Sequence, residues 1–378
     1  MKKFLFAFSV IFFAGCTASD IQAITQAAMS KDPIGTIGQI AQRRVINYTS
    51  VELAKIIEAF KKEVERNWGN EAKTPSPKEY VKYTQNYKSM AHVNFDKGEI
   101  LVQTLDNKNP TNSLKSAIIT TLLTPEDPRA VDLYSDAEIK LSGTPYLYKT
   151  VMDHTGNYIS SKSRASNFAD FLIKNNLQTK TINHNGKSEL VHFVQIQMVK
   201  NHLQVRAQKY KPLVQRYSKE YNLSQSLIFA IMKTESDFNP FAISNANAIG
   251  LMQIVPTSAG RDVNKFLYNK DITPSRDFLY DAKNNIQFGS TYLHMLNTNY
   301  LSRVNNPISR EYCIIAGYNT GAGNVLKTFS NDRTKAFEII NSMNPNDVYK
   351  KLRSSLPYNE TRRYLYKVIE SKKEFTNL

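Results

Sequence analysis

The sequence predicts an α+β amino-terminal domain followed by a mainly α-helical carboxy-terminal domain. Strand alternation and helical periodicity mix between Lys78 and Lys200, whereas helical periodicity alone dominates from about Asn201 onward. A chain of 378 residues is long enough for two or three domains that each bury a core, and 41% hydrophobic residues mark it as globular rather than disordered.

Taken in order, Ser50 reads as the cap of a helix on which Leu53, Ile56, Ile57, Phe60, Val64 and Trp68 hold one face. Glu58 and Lys62 form an i, i+4 pair on another face. Such an apolar face has to dock on something. Gly69 ends the run, and Thr74-Pro75-Ser76-Pro77 marks a break. Residues 92–95 and 99–104 flank Asp96-Lys97-Gly98 as a hairpin, and Asn185-Gly186 stands before the alternating Leu190, His192, Val194, Ile196 and Met198. Leu114, Ala117, Ile118, Thr121 and Leu122 read as a helix capped within 111–113, and Phe168, Phe171 and Leu172 as another closed by Asn175-Asn176. The expected unit is an accessory domain over 50–200 with a leading helix. Beyond it, over 201–378, helices are expected at 206–221, 224–238, 284–296, 309–316 and 360–372.

One carboxylate stands out in the second half. Ser224 can cap a helix on which Leu227, Ile231 and Glu235 recur at i, i+4 and i+8, so Glu235 continues an apolar stripe. It also sits just before the stop signal Asp237-Phe238-Asn239-Pro240, where low polarity and the negative end of the helix dipole both disfavour ionisation. A general acid would be placed there. Alone, such a residue reads by default as a salt-bridged or snorkelling Glu at a helix end.

Downstream of that helix lie a small polar loop at 244–247, Gly250-Leu251-Met252-Gln253, Pro256, Ala316-Gly317-Tyr318-Asn319 and Gly321-Ala322-Gly323. In that order and spacing, Glu-Ser, Gly-Leu-Met-Gln and Ala-x-Tyr-Asn resemble the catalytic domain of the lytic transglycosylases, which share a goose-type-lysozyme-like helical fold. The preceding domain, with VKYTQNY, VDLYSD and RASNFADFLIKN, looks like the amino-terminal domain of the membrane-bound lytic murein transglycosylases. No chemistry is readable in that domain. Tyr80, Tyr83 and Tyr87, at helical spacing, read as a packing face rather than a sugar platform.

The resemblance implies a peptidoglycan lytic transglycosylase, a carbon–oxygen lyase acting on the β-1,4 bond between N-acetylmuramic acid and N-acetylglucosamine. Glu235 would protonate the glycosidic oxygen and then, as carboxylate, take the proton of the muramoyl C6 hydroxyl, which attacks C1 and leaves a 1,6-anhydromuramoyl end. Ser244 would orient the muramoyl unit, Met252 and Gln253 would line the cleft, Tyr318 and Asn319 would face Glu235 across it, and Tyr364 would close it. Each also has an ordinary reading as cap, turn former or core residue. Ala246 and Val255 depart from relatives that carry Ser and Met there. Spacing reveals no supported second carboxylate: Asp237 points to another helix face, and Asp262, Asp271, Asp277 and Asp281 lie in loops without a motif. Residues distant in sequence can still meet in the fold, so two alternatives stay open. One is a muramidase hydrolysing the same bond, the other a non-catalytic wall-binding lipoprotein.

Lys2 and Lys3 precede a short apolar run at 4–13, well below the ~20 residues that span a bilayer, so 1–15 read as a signal peptide. Phe13-Ala14-Gly15-Cys16 resembles a bacterial lipobox, which implies lipidation of Cys16, with palmitate among the acyl chains, and a tether over 16–49. Thr17, rather than Asp, after the cysteine favours outer-membrane sorting of a periplasm-facing lipoprotein. Cys16 and Cys313 are the only cysteines, so there is no disulfide framework, and Cys313 reads as a buried small hydrophobe. The six histidines lack ligand spacing; no metal and no cofactor are expected. Gly321-Ala322-Gly323 reads as a turn before a helix, since no Lys-Ser/Thr follows to make a phosphate cradle. The net charge of +16 asks for a polyanionic partner. Export and the lack of any nucleic-acid motif argue against DNA or RNA, and anionic wall and lipid headgroups satisfy the same electrostatics. The expected partners are peptidoglycan glycan strands and, through the lipid, a membrane.

Overall fold

The computed structural model describes residues 50–184 and 186–378. The expected signal peptide, Cys16 and tether lie outside the described residues, as does Asn185 of the Asn185-Gly186 turn.

The leading helix α1 (Ser50–Trp68) finds its dock in the accessory core. Leu53, Phe60, Val64 and Trp68 are buried, and the Trp68 indole donates to the Tyr87 carbonyl at 2.7 Å. That core is covered by an antiparallel sheet of β1 (Glu79–Thr84), β2 (Ser89–Asn94), β3 (Glu99–Thr104), β4 (Gln178–His184) and β5 (Lys187–Gln197), in the order β1-β2-β3-β5-β4. The β2–β3 hairpin forms at the expected turn, where Gly98 takes φ +69°. Helices α2 (Pro110–Leu123) and α3 (Lys162–Asn176) pack on each other and on the sheet. The first starts at Pro110, earlier than the expected cap, because Pro is pre-set for the first helical position and Asn109 precedes it.

Tyr80 and Tyr83 correct the helical reading of that stretch, since both lie on strand β1. A spacing of three places two strand residues on opposite faces, and both faces of β1 are covered. Tyr83 meets Phe60 and Trp68 of α1, while Tyr80 meets Tyr146 and Phe241 with ring centroids 5.2 and 4.9 Å away.

The carboxy-terminal domain is built from α4 (His202–Tyr221), α5 (Gln225–Ser236), α6 (Arg261–Tyr268), α7 (Arg276–Tyr280), α8 (Ala282–Met295), α9 (Pro307–Thr320), α10 (Ala322–Lys327), α11 (Arg333–Ser342), α12 (Pro345–Ser355) and α13 (Asn359–Glu374). Its centre is α5, which packs against α4 and α13 and is apolar nearly all round from Leu227 to Met232. Cys313 of α9 is fully buried in this core, and burial pushes its thiol up to about 12.

The two domains share more than a surface. Phe241 and Ile243, sixth and eighth residues after Glu235, are buried in the accessory core. Charged contacts reinforce the junction: Lys209 pairs with Glu126 at 2.6 Å, and the buried Arg206 donates to the Phe95 carbonyl at 2.8 Å.

Candidate active site

Helix α5 delivers Glu235 into a cleft of about 960 Å³ between the domains. The helix begins as expected, with the Ser224 hydroxyl accepting from the Leu227 N–H at 3.3 Å. It ends in a left-handed turn, Asp237 at φ +49° and Phe238 at φ +59°, which swings the chain away and leaves Glu235 in the last helical turn. Ser236, buried beside the acid, aims its hydroxyl between the carbonyls of Met232 at 3.0 Å and Leu251 at 2.8 Å. That contact ties the acid's helix to the Gly-Leu-Met-Gln loop, a physical reason for a small hydroxyl after the Glu.

The loop itself is fixed by one side chain. Buried Asn285 of α8 donates to the carbonyls of Ile249 at 2.8 Å and Leu279 at 2.7 Å and accepts from the Met252 N–H at 2.8 Å. Gly250 at φ +75° lies so close that a Cβ there would stand 2.3 Å from the Asn285 Nδ2. Gln253, itself at φ +48°, folds its amide back onto the Gly250 carbonyl at 3.0 Å and faces the cleft.

Met252 corrects an expectation. Its side chain is fully buried against Gly289, where an added Cβ would stand 2.3 Å from its sulfur, and it does not line the cleft. What it contributes is its carbonyl, which accepts from the Tyr318 hydroxyl at 2.8 Å. The other expected residues come together around Glu235: Ser244, Gln253, Tyr318, Asn319 and Tyr364 all line the cleft. Ser244 accepts from the Ala248 N–H at 3.0 Å, and Asn319 accepts from the Thr361 hydroxyl at 2.6 Å. The Tyr364 hydroxyl is buried without a hydrogen bond of ordinary geometry and is turned to Glu235.

Burial holds the Glu235 carboxyl well above the usual carboxylate range, at about 7. Tyr364 opposes that rise, the negative charge of Glu360 adds to it, and the Lys78 cation draws it back. Tyr318 and Tyr364 are themselves pushed upward, first by burial and then by the charge of Glu235, so both remain phenols.

Several lining residues escape a reading of the sequence. Glu360 and Lys367 stand at −4 and +3 from Tyr364 on α13, and helical spacing from that tyrosine is the signal that could find them; Arg363, its immediate neighbour, lines the cleft without that spacing. Ser76, Pro77 and Lys78 come from the accessory domain, and no signal in the sequence places them here. Among the described residues no group of three His, Cys, Asp or Glu could hold a metal ion.

A family model of the membrane-bound lytic murein transglycosylase C amino-terminal domain matches residues 46–209, and one of the transglycosylase SLT domain matches residues 212–341. The membrane-bound lytic murein transglycosylase C of Shigella sonnei is 48% identical over 318 residues, covering 84% of this chain and 87% of that protein. Among solved structures, an inactive mutant of the lytic transglycosylase Slt of Pseudomonas aeruginosa is 25% identical over 43% of this chain, with a TM-score of 0.33. The 70 kDa soluble lytic transglycosylase of Escherichia coli is 28% identical over 44%, with a TM-score of 0.34. The matches span 23% and 24% of those longer enzymes. Matched in both domains, in order, and related at 48% identity over most of its length, the chain belongs to the membrane-bound lytic murein transglycosylase C family.

Proposed function

We propose that the protein cleaves the β-1,4 bond between N-acetylmuramic acid and N-acetylglucosamine in peptidoglycan, and that Glu235 works alone, first as acid and then as base. The observation that carries this reading is a buried carboxyl poised at about 7, in a cleft of about 960 Å³ lined by both domains. A group titrating near neutrality gives up a proton to the leaving oxygen and takes one back with little penalty in either direction. The nucleophile is the muramoyl C6 hydroxyl, already attached to the sugar, so its attack on C1 needs no positioned water. As the glycosidic bond breaks, its oxygen keeps the Glu235 proton; as the C6 oxygen bonds to C1, its proton passes to the carboxylate. Because the Tyr318 hydroxyl is committed to the Met252 carbonyl, Tyr318 shapes the wall while the less committed Tyr364 hydroxyl answers the charge on Glu235. Ser244, Gln253 and Asn319 supply polar groups for the sugar and its N-acetyl substituent.

The hydrolase reading is favoured by one observation, that Glu360 lines the same cleft. Product analysis decides between them. Digested wall should yield muropeptides with 1,6-anhydromuramoyl ends, one water lighter than reducing products, resistant to borohydride and unlabelled after digestion in heavy-oxygen water. Mostly reducible, labelled ends would transfer the role of base to Glu360. Anchoring is a separate part of the proposal: a membrane-associated, periplasm-facing protein held by acylated Cys16, in the outer membrane by the Thr17 rule. Cys16→Ala should abolish incorporation of labelled palmitate and membrane retention, and label persisting in that variant would remove the lipobox reading.

A further inference from the structure

We infer that Lys78, contributed by the accessory domain, is a positioning residue for Glu235: it clamps the turn that ends the acid's helix and holds a cation at the cleft wall. The inference rests on the reading of Glu235 as acid and base, and it gives the accessory domain a part in the reaction.

The turn after Glu235 is one that L residues rarely adopt, because Asp237 and Phe238 both have positive φ. Such a turn persists only where its surroundings over-determine it. Here they form a closed circuit between the domains. The Lys78 ammonium meets the Asp237 carboxylate at 2.5 Å, with the Asp237 side chain 2% exposed. Arg206 donates to the Asp237 carbonyl at 3.1 Å and to the Phe95 carbonyl at 2.8 Å. The Phe95 N–H returns to the Lys78 carbonyl at 3.0 Å, and Asn239 closes a second link to the Pro77 carbonyl at 3.0 Å. Lys78 is further fixed by the paired backbone of Ser76 and Glu79 on either side of it.

Geometry makes this more than a strut, since Lys78 and Glu235 line the same cleft. A cation there favours the carboxylate form that the second half of the reaction uses as base. The charged groups around Glu235 otherwise come from its own helix, from α9 and from α13. On α5, Lys233 pairs with Glu374 at 2.5 Å and is not among the residues that line the cleft. From α13, Glu360 opposes Lys78, Tyr364 supports it, and Arg363 and Lys367 stand further along the wall. From α9 comes the phenol of Tyr318. Asp237 is itself pushed upward by burial, with Lys78 and Arg206 opposing that rise and Asp96 adding to it.

The test uses the full chain and purified wall, with pH profiles of kcat and kcat/KM for Lys78→Met, Lys78→Arg, Asp237→Asn and Glu235→Gln. Lys78→Met should lose about tenfold or more in kcat with KM changed less than about threefold, and its alkaline limb should move to higher pH by about half a unit or more. Lys78→Arg should recover most of the rate and the original limb. Asp237→Asn, which leaves the cation without its counter-ion, should move the limb the opposite way, and it supplies the test should Lys78→Met fail to fold. An unmoved limb with kcat within twofold of wild type in Lys78→Met, or shifts of the same sign in both variants, overturns the inference. Activity persisting in Glu235→Gln would instead sink the reading of the acid; an inactive Glu235→Gln beside an unshifted Lys78→Met sinks only the role of Lys78.

Discussion

Glu235 keeps its proton to near neutrality because burial outweighs both Tyr364 and Lys78, and this has two measurable consequences. The acid must be protonated in the free enzyme, so kcat/KM should fall as pH rises above about 7. Stability should move in the same direction. A carboxyl whose folded value lies at about 7, above its ordinary 4.5, binds more protons folded than unfolded between those limits, so stability drops as pH rises through that window. Glu235→Gln removes the buried charge; at pH 8 it should melt higher than wild type by roughly 1–3 kcal/mol equivalent while lysing no wall, readable by thermal unfolding beside a turbidity assay. A melt unchanged between pH 5 and 8 in wild type would refute the buried-acid account. Glu360→Gln should move the alkaline limb to lower pH, since a neighbouring negative charge is lost, and should leave the anhydro product intact. Glu235 is legible in the sequence because an apolar stripe and a stop signal converge on it; Met252 misleads because its neighbour Gln253 turns to the cleft while its own side chain turns to Gly289.

At the scale of elements, the loop carrying Gln253 depends on an amide 33 residues beyond Met252, well outside the motif that announces the loop. Asn285 satisfies three buried backbone groups, so Asn285→Ala should cost about 2–4 kcal/mol and loosen Gln253, seen as a lowered melting temperature and a raised KM. Gly250→Ala should fail for a different reason, a left-handed φ and a Cβ driven into Asn285. Helix α5 is legible from its Ser224 cap and its stripe, and the β2–β3 hairpin from its turn residues. Helices α6, α7, α11 and α12 are not expected from the sequence: each is short, at 5 to 11 residues, and too brief for a periodic face to rise above the surrounding loop. The strand at Tyr80 is hidden by a coincidence, three-residue spacing on a ribbon buried on both sides.

For the whole molecule, the boundary near residue 200 divides the chain by periodicity but not by core, because Phe241 and Ile243 are buried among accessory residues. A chain beginning at residue 201 should therefore expose both side chains and leave Asp237 without Lys78; it is expected to aggregate or to melt far below a chain beginning near residue 49, which should be soluble and active. Solubility and full activity of the shorter chain would show that the cleft needs only one wall. The opposite wall is also the least legible part of the molecule: motifs display the helical wall of the cleft, while Ser76, Pro77 and Lys78 reach their places only through folding of a separate domain. Motion between those walls can be watched directly, because Cys313 lies fully buried with its thiol held at about 12 and so presents almost no thiolate to a maleimide at neutral pH. In a Cys16→Ala background, Lys97→Cys and Lys335→Cys at two exposed positions would supply the only thiols to take a dye, giving an optical ruler across the two halves with no need to remove a native residue from the core.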